Sequence, residues 1–529
     1  MFTPTSVIIN YALPSTKLEI LFYGTIVFLV VIWCHMRWEH RRFYQLAAKL
    51  PGPPSYPMKG SIYDLNTTPE KVVANIKKAA EKYNYEPIKM WVGPFLFVGV
   101  YKPEDVQIVL NSSKALEKGI IYRILRNLAG EGVFTAPVDK WRRHRRVIAT
   151  IFNPKFLDQL FPVFNDNNKK LVASLSKHLG ESEPFNLWDY IMTCNLHNVS
   201  QAAMGYNHID KYNLTGFVYT LKKLTELSQF IVKPWMYPTV VFTLYAHLTG
   251  WSEHFKVFDR ITKEIIQEKK IEYNSRKTEK GDKSTWEADE EIEKKRTKVF
   301  LDKLLKLNDD GADFSDQDLR DEVVTMTIAG SDTSAIGECF CLLMLAMHQD
   351  IQHKVYEEIY SILGDSDRDV NPDEIYKFKY LEQVIKETLR HFPPGAIFSR
   401  KTDGDIKLTN YELPSGCNVF VAPLVTHKIS QLYPNPEVFN PENFNPENES
   451  KRHKFSYLAF SGGPRGCLGA KYATLSMKLM LVAVLRNYSV HTKVKYSDIE
   501  LQMDMLAKSA HGYYVTIRPR RPLTTKNAE

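Results

Sequence analysis

From Ile20 to Met36 the chain reads ILFYGTIVFLVVIWCHM, almost without a polar break, and then turns basic at Arg37, His40, Arg41 and Arg42. About 17 apolar residues is the short end of a membrane-spanning helix. The positive charge follows the apolar run, so the remainder of the chain is expected on the cytosolic side. A cleaved signal peptide needs a small-residue cleavage site, which Trp33, His35, Met36 and Trp38 do not offer, and no Arg precedes Arg37 to suggest a mitochondrial leader. Pro51-Gly52-Pro53-Pro54 forms a stiff break. The pattern predicts a single-pass N-terminal anchor with its basic flank (1–50) and one globular unit (51–529).

Within that unit the periodicity changes repeatedly. Lys89–Val100 reads as two strands about a Gly-Pro turn, and Pro414–Val425 as strand. Lys140–Phe152 is a basic helical stretch. Asp318–Met347 is a long helix with Gly330 in its middle, Tyr376–His391 a helix stopped by Pro393 and Pro394, and a third long helix runs from near Cys467 to near Asn487. Leu432–Asn448 is a Pro- and Asn-rich meander. Glu268–Arg296 is mostly charged and reads as a solvated connection. Leu214–Leu248 is rich in aromatics (Phe217, Tyr219, Phe230, Trp235, Tyr237, Phe242, Tyr245), either core or a second membrane contact. The whole predicts a mainly α protein with smaller β-sheets, an α+β fold.

Composition narrows function a little. A net charge of +8 over 529 residues suits an acidic partner or a membrane surface and is too small to indicate nucleic acid. Six scattered cysteines form no disulfide framework, and Cys339 and Cys341, two apart on a helix, diverge and make no metal clip. With the globular part in the cytosol, the Asn-x-Ser sites at Asn111 and Asn487 are expected to carry no glycan.

The chemistry concentrates in Phe460-Ser461-Gly462-Gly463-Pro464-Arg465-Gly466-Cys467-Leu468-Gly469. A cysteine ligates metal as its thiolate, which needs positive surroundings. A helix start, N–H groups freed by neighbouring glycines and the Arg465 cation are expected to supply them. No register fits a phosphate-binding loop. The segment resembles the haem-binding signature of the cytochrome P-450 family, with Phe460, Gly463, Arg465, Cys467 and Gly469 at the signature's fixed places. Further matches are Glu387-Thr388-Leu389-Arg390, like the family's Glu-x-x-Arg helix; Ala329-Gly330-Ser331-Asp332-Thr333, like its oxygen-activation motif; and Trp141 to Arg145, like its Trp-x-x-x-Arg helix. Pro441-Glu442-Asn443-Phe444 departs from the family's Pro-Glu-Arg-Phe, so the meander must be tied differently. The Val299–Leu305 stretch looks like the branch holding insect and vertebrate fatty-acid hydroxylases.

The resemblance implies the cytochrome P-450 fold with haem b, ligated at iron by Cys467. Trp141 and Arg145 would face the propionates, with Arg400 a further candidate, and Arg465 would bind the cofactor from the cysteine loop. Phe460, Gly463 and Gly469 would shape the loop, Thr333 would order water, Asp332 would relay protons, and Gly330 would leave room for oxygen. Ala329 stands where many members of that branch carry a Glu bonded to haem, so non-covalent haem is expected apart from the Cys467–iron bond. The implied reaction inserts one atom of O2 into an apolar substrate: a fatty acid, terpenoid, odorant or foreign compound. Implied partners are the NADPH–cytochrome P-450 reductase of the endoplasmic reticulum membrane and cytochrome b5. Lys140, Arg142, Arg143, Arg146 and Lys451-Arg452-His453-Lys454 are candidates for docking. Wall candidates are 114–135, 328–333, 394–398 and 505–512, with Ile397, Phe398, Leu506 and His511. A haem-thiolate isomerase or dehydratase, and a non-catalytic haem or lipid binder, are the competing readings.

Overall fold

The computed structural model describes residues 15–54, 61, 69–205, 239–279, 299–503 and 505–520. Helix α1 (Ser15–Glu39) contains the apolar run, and Ile20, Leu21, Phe22, Val27, Phe28 and Trp33 all lie exposed on it. A helix apolar on every side needs a hydrophobic surrounding, and the folded protein does not provide one here.

The globular part is organised around one long central helix. α2 (Val138–Ile151), α3 (Phe161–Leu175), α4 (Trp188–Met204), α5 (Thr239–Leu248) and α6 (Trp251–Glu279) precede it, α7 (Asp316–Met347) is the central helix, and α8 (Lys379–His391) and α9 (Ala470–Asn487) follow. α7 packs on α4, α8 and α9, and 83% of its most apolar window is buried. It is as hydrophobic as a membrane span because it is the core. Ser315 starts it: its hydroxyl accepts the Asp318 N–H at 3.1 Å, and the Asp318 carboxylate accepts the Ser315 N–H at 3.0 Å.

A five-stranded sheet stands beside the helices, in the order β1-β2-β5-β4-β3. β1 (Ile88–Val92) and β2 (Phe95–Val100) form the expected hairpin about Gly93 (φ +56°). β5 (Asn418–Val421) lies parallel to β2 and antiparallel to β4 (Phe398–Lys401). β3 (Glu117–Lys118) closes the edge on β4. A separate hairpin, β6 (Leu501–Met503) with β7 (Ala507–Ser509), packs on the helix Pro69–Lys82 and reaches α7 through Lys508.

One expectation fails in part. The stretch read as a solvated connection from Glu268 is helical through Glu279, because α6 buries Ile265, Ile266 and Lys269 and bonds Lys269 to Glu272 and Asp302. Phe217, Tyr219, Phe230, Trp235 and Tyr237 lie outside the described residues. α5 buries Phe242 and exposes Val240, Val241, Leu244 and Leu248.

Candidate functional site

The Cys467 loop is a tight turn stitched by backbone. Gly466 N–H donates to Gly463 O (3.0 Å) and Cys467 N–H to Phe460 O (2.9 Å). Gly463 sits at φ +66°, and a Cβ there would lie 2.1 Å from the Leu110 carbonyl, so no other residue fits. Gly469 differs: a Cβ on it would meet nothing within 4 Å, so open space adjoins the cysteine. Cys467 itself is exposed, although protein encloses it closely enough for burial to push its thiol up. A sulfur on the wall of an enclosed hollow satisfies both observations. The Gly469 N–H, Arg145 and Lys118 act in the opposite direction and favour the thiolate. α9 begins at Ala470, three residues after the cysteine.

Arg465 does not serve the sulfur as expected. It donates to Leu116 O (3.0 Å) and Ala136 O (2.9 Å) and lies over the Trp141 ring at 4.3 Å. Burial, then the nearby Arg400 charge, push it down to about 9, and its Nη1 has no hydrogen-bond partner. Arg400 is 2% exposed. Directly across the β3–β4 ladder from it stands Lys118, also buried, between the rings of Tyr122 (4.5 Å) and Phe134 (4.6 Å). Burial and the charges of Arg400 and Arg465 push the Lys118 ammonium well down. The neighbouring carboxylate, Glu117, is already bonded to Arg126 at 2.9 Å. Like charges opposed across a ladder, out of water, are unfavourable. The cluster is built for anions. A haem, with two carboxylates, fits it, and Cys467 and the gap at Gly469 fit the metal side. Lys118 was missed in the sequence because only strand register brings it opposite Arg400.

α7 presents a second open surface. Along an otherwise buried helix Ala329 is exposed, and Met326, Gly330 and Thr333 are half-buried on the same stripe. Thr333 Oγ1 donates to the Ala329 carbonyl at 2.6 Å, as expected. Asp332 is buried, with Lys508 Nζ of β7 at 3.5 Å. Gly330 has a packing role: a Cβ would come 2.7 Å from Val199 Cγ2 of α4.

Behind the loop, Glu387 and Arg390 form a fully buried bidentate pair at 2.8 and 2.8 Å. Burial alone would raise the Glu387 carboxyl, but Arg390 and His391 hold it down to about 2. Arg390 also donates to His427 O and Pro436 O, which ties the meander to α8. Asn443 contributes one neutral bond to Glu387 (3.2 Å), and Arg452 lies over Tyr433 and Phe444 and donates to the Asn443 carbonyl. Leu506 is buried and Phe398 half-buried. His511 faces solvent beside Glu500 (3.3 Å).

The chain matches the family described as Cytochrome P-450 over residues 50–517. Cytochrome P-450 4c21 of Blattella germanica is 32% identical over 91% of this chain and 95% of its own length. Cytochrome P-450 4V2 of Homo sapiens is 30% identical over 92% and 91%, and cytochrome P-450 4g15 of Drosophila melanogaster 29% identical over 96% and 98%. The crystal structure of the cytochrome P-450DA haem domain shares the fold, with TM-score 0.73 at 19% identity, covering 89% of this chain and 98% of that one. The chain belongs to the cytochrome P-450 family: it is a haem-thiolate monooxygenase that binds haem b through a cysteine thiolate.

Proposed function

We propose that Cys467 is the thiolate that would hold the haem iron and that residues 51–529 form one catalytic domain behind the anchor in 1–50. The observation that carries this reading is the buried cluster of basic side chains, Lys118, Arg400 and Arg465, next to an accessible Cys467. When bound, haem b with a thiolate ligand supplies oxygen activation by favouring O–O cleavage. The protein's share is binding, orientation and proton handling. Lys118, Arg400 and Arg465 would hold the two carboxylates, with Trp141 and Arg145 beside them, because guanidinium groups suit such anions. Phe460, Gly463 and Gly469 shape the loop. Thr333, half-buried and bonded to the Ala329 carbonyl, would order water, and Asp332, buried beside Lys508, would relay protons toward it. Ala329 has no carboxyl to esterify, so the haem is held without a further covalent bond.

The substrate is an apolar small molecule, passing Phe398, Ile397 and Leu506: a fatty acid, terpenoid, odorant or foreign compound. Electrons would come from NADPH through the microsomal flavoprotein reductase, with cytochrome b5 as a second donor. Of the docking cations expected from sequence, Arg142, Arg143, Arg146, Lys451 and Lys454 are exposed. Lys140 is bonded to Asp318 at 2.6 Å and Arg452 is packed on aromatic rings, so both leave the docking set. The exposed α1 anchors the protein in the endoplasmic reticulum membrane with the catalytic part in the cytosol. Reconstitution tests this reading: oxygen uptake and hydroxylated product should require both reductase and NADPH. Turnover without any electron donor would favour the isomerase.

A further inference from the structure

α2 and α7 meet through a buried polar contact that the proposed mechanism leaves unused. Trp141, His144, Arg145 and Ile148 share one face of α2. The His144 ring is fully buried against Phe314, with ring centroids 4.6 Å apart. Its Nδ1–H donates to Glu322 Oε1 at 2.6 Å, and its Nε2 lies 3.8 Å from Asp318 Oδ1. The second oxygen of Glu322 accepts the Val133 N–H at 3.0 Å, and Asp321 Oδ2 accepts the Glu131 N–H at 2.7 Å. The segment leading into α2 presses onto the same turn of α7: a Cβ at Gly130 would lie 2.1 Å from Asp321 Oδ1, and one at Gly132 2.1 Å from Thr325 Oγ1. Glu322 and His144 thus close a clamp whose other jaw is backbone.

A buried pair of this kind adds little net stability over apolar packing, but it has direction, which apolar packing lacks. Three residues before His144, about one helical turn, Trp141 carries the Arg465 guanidinium on its ring, and Arg145 follows His144 directly with its charge acting on Cys467. A rotation or slide of α2 against α7 would move both. We infer that His144 is a positioning residue: through Glu322 it fixes where α2 presents Trp141 and Arg145 to the haem. This rests on the proposed placement of the haem.

The test is the rate at which the holoprotein loses haem to excess apomyoglobin, read beside the thermal unfolding midpoint. His144→Phe keeps a ring against Phe314 and removes the donor; haem loss should be about tenfold faster, the low end for residues that orient a metal-site ligand. His144→Asn keeps a donor near the Nδ1 position and should stay within about twofold of wild type. In the double variant H144F/E322Q the buried charge without a partner is gone while Val133 keeps its acceptor. Its midpoint should recover and its haem loss should stay fast. Haem loss in H144F at the wild-type rate, or haem retention that recovers together with the midpoint in the double variant, would overturn the inference. Should H144F not fold, H144N against H144F/E322Q carries the same comparison. A wild-type protein that bound no haem would instead remove the reading beneath it.

Discussion

At the scale of single residues, the site is set by groups that have little choice. Gly330 is the clearest. Gly330→Ala brings a methyl to within 2.7 Å of Val199 Cγ2, and overpacking of this kind costs about 1–3 kcal/mol. Chemical denaturation of the holoprotein should show that loss, and Val199→Ala in the same chain should recover most of it. The sequence marked Gly330 for the room it leaves beside oxygen and could not show the Val199 contact, because a motif names a position while the neighbour that packs on it comes from another helix. Glu338 was not marked at all. It is fully buried on α7, bonded by Asn195 and 3.5 Å from Ser476 Oγ. Burial pushes its carboxyl up from 4.5 to about 8, against those two bonds. The folded protein therefore keeps a proton that the unfolded chain releases at its ordinary value, and stability falls as pH rises from about 5 to about 8. Glu338→Gln, shaped like the neutral acid, lacks this slope. Its midpoint relative to wild type should rise across that window in thermal unfolding, and a difference independent of pH would contradict the assignment.

At the scale of elements, one helix end was readable from punctuation: α8 stops at His391, ahead of Pro393-Pro394 as expected, whereas α7 starts at Asp316 behind a Ser315 cap, two residues before the expected Asp318. The ties between elements were less readable. The meander lacks the family's arginine, and nothing in the local pattern says that Arg390 takes over by bonding His427 O and Pro436 O, or that Arg452 seals it from nine residues on. That division of labour predicts unequal costs. Arg390→Ala leaves the Glu387 carboxylate buried without its cation and should cost about 3–5 kcal/mol in urea unfolding, with loss of bound haem. Asn443→Ala removes one neutral bond and should cost about 1 kcal/mol. Equal losses would mean that Asn443 ties the meander as strongly as Arg390 does and would contradict this division. The α6 correction has the same origin: a charged helix face reads as solvated until the packing that hides Ile265, Ile266 and Lys269 is known.

At the scale of the molecule, two helices long and apolar enough to cross a membrane have opposite surroundings. α7 is enclosed by α4, α8 and α9, whereas the large apolar side chains of α1 from Ile20 to Trp33 lie exposed. Deleting residues 1–39 should move the protein from the carbonate-resistant membrane pellet toward the soluble fraction while leaving its haem spectrum unchanged. A spectrum lost with the anchor would show that the two parts are not separable. The most direct measurement of the whole account is the carbon monoxide difference spectrum of the reduced protein in membranes, recorded beside Cys467→Ala. The account predicts a red-shifted, thiolate-type band in the wild type that disappears in the variant. A thiolate-type band that survives in Cys467→Ala, or well-folded wild-type protein with no haem band, would contradict it.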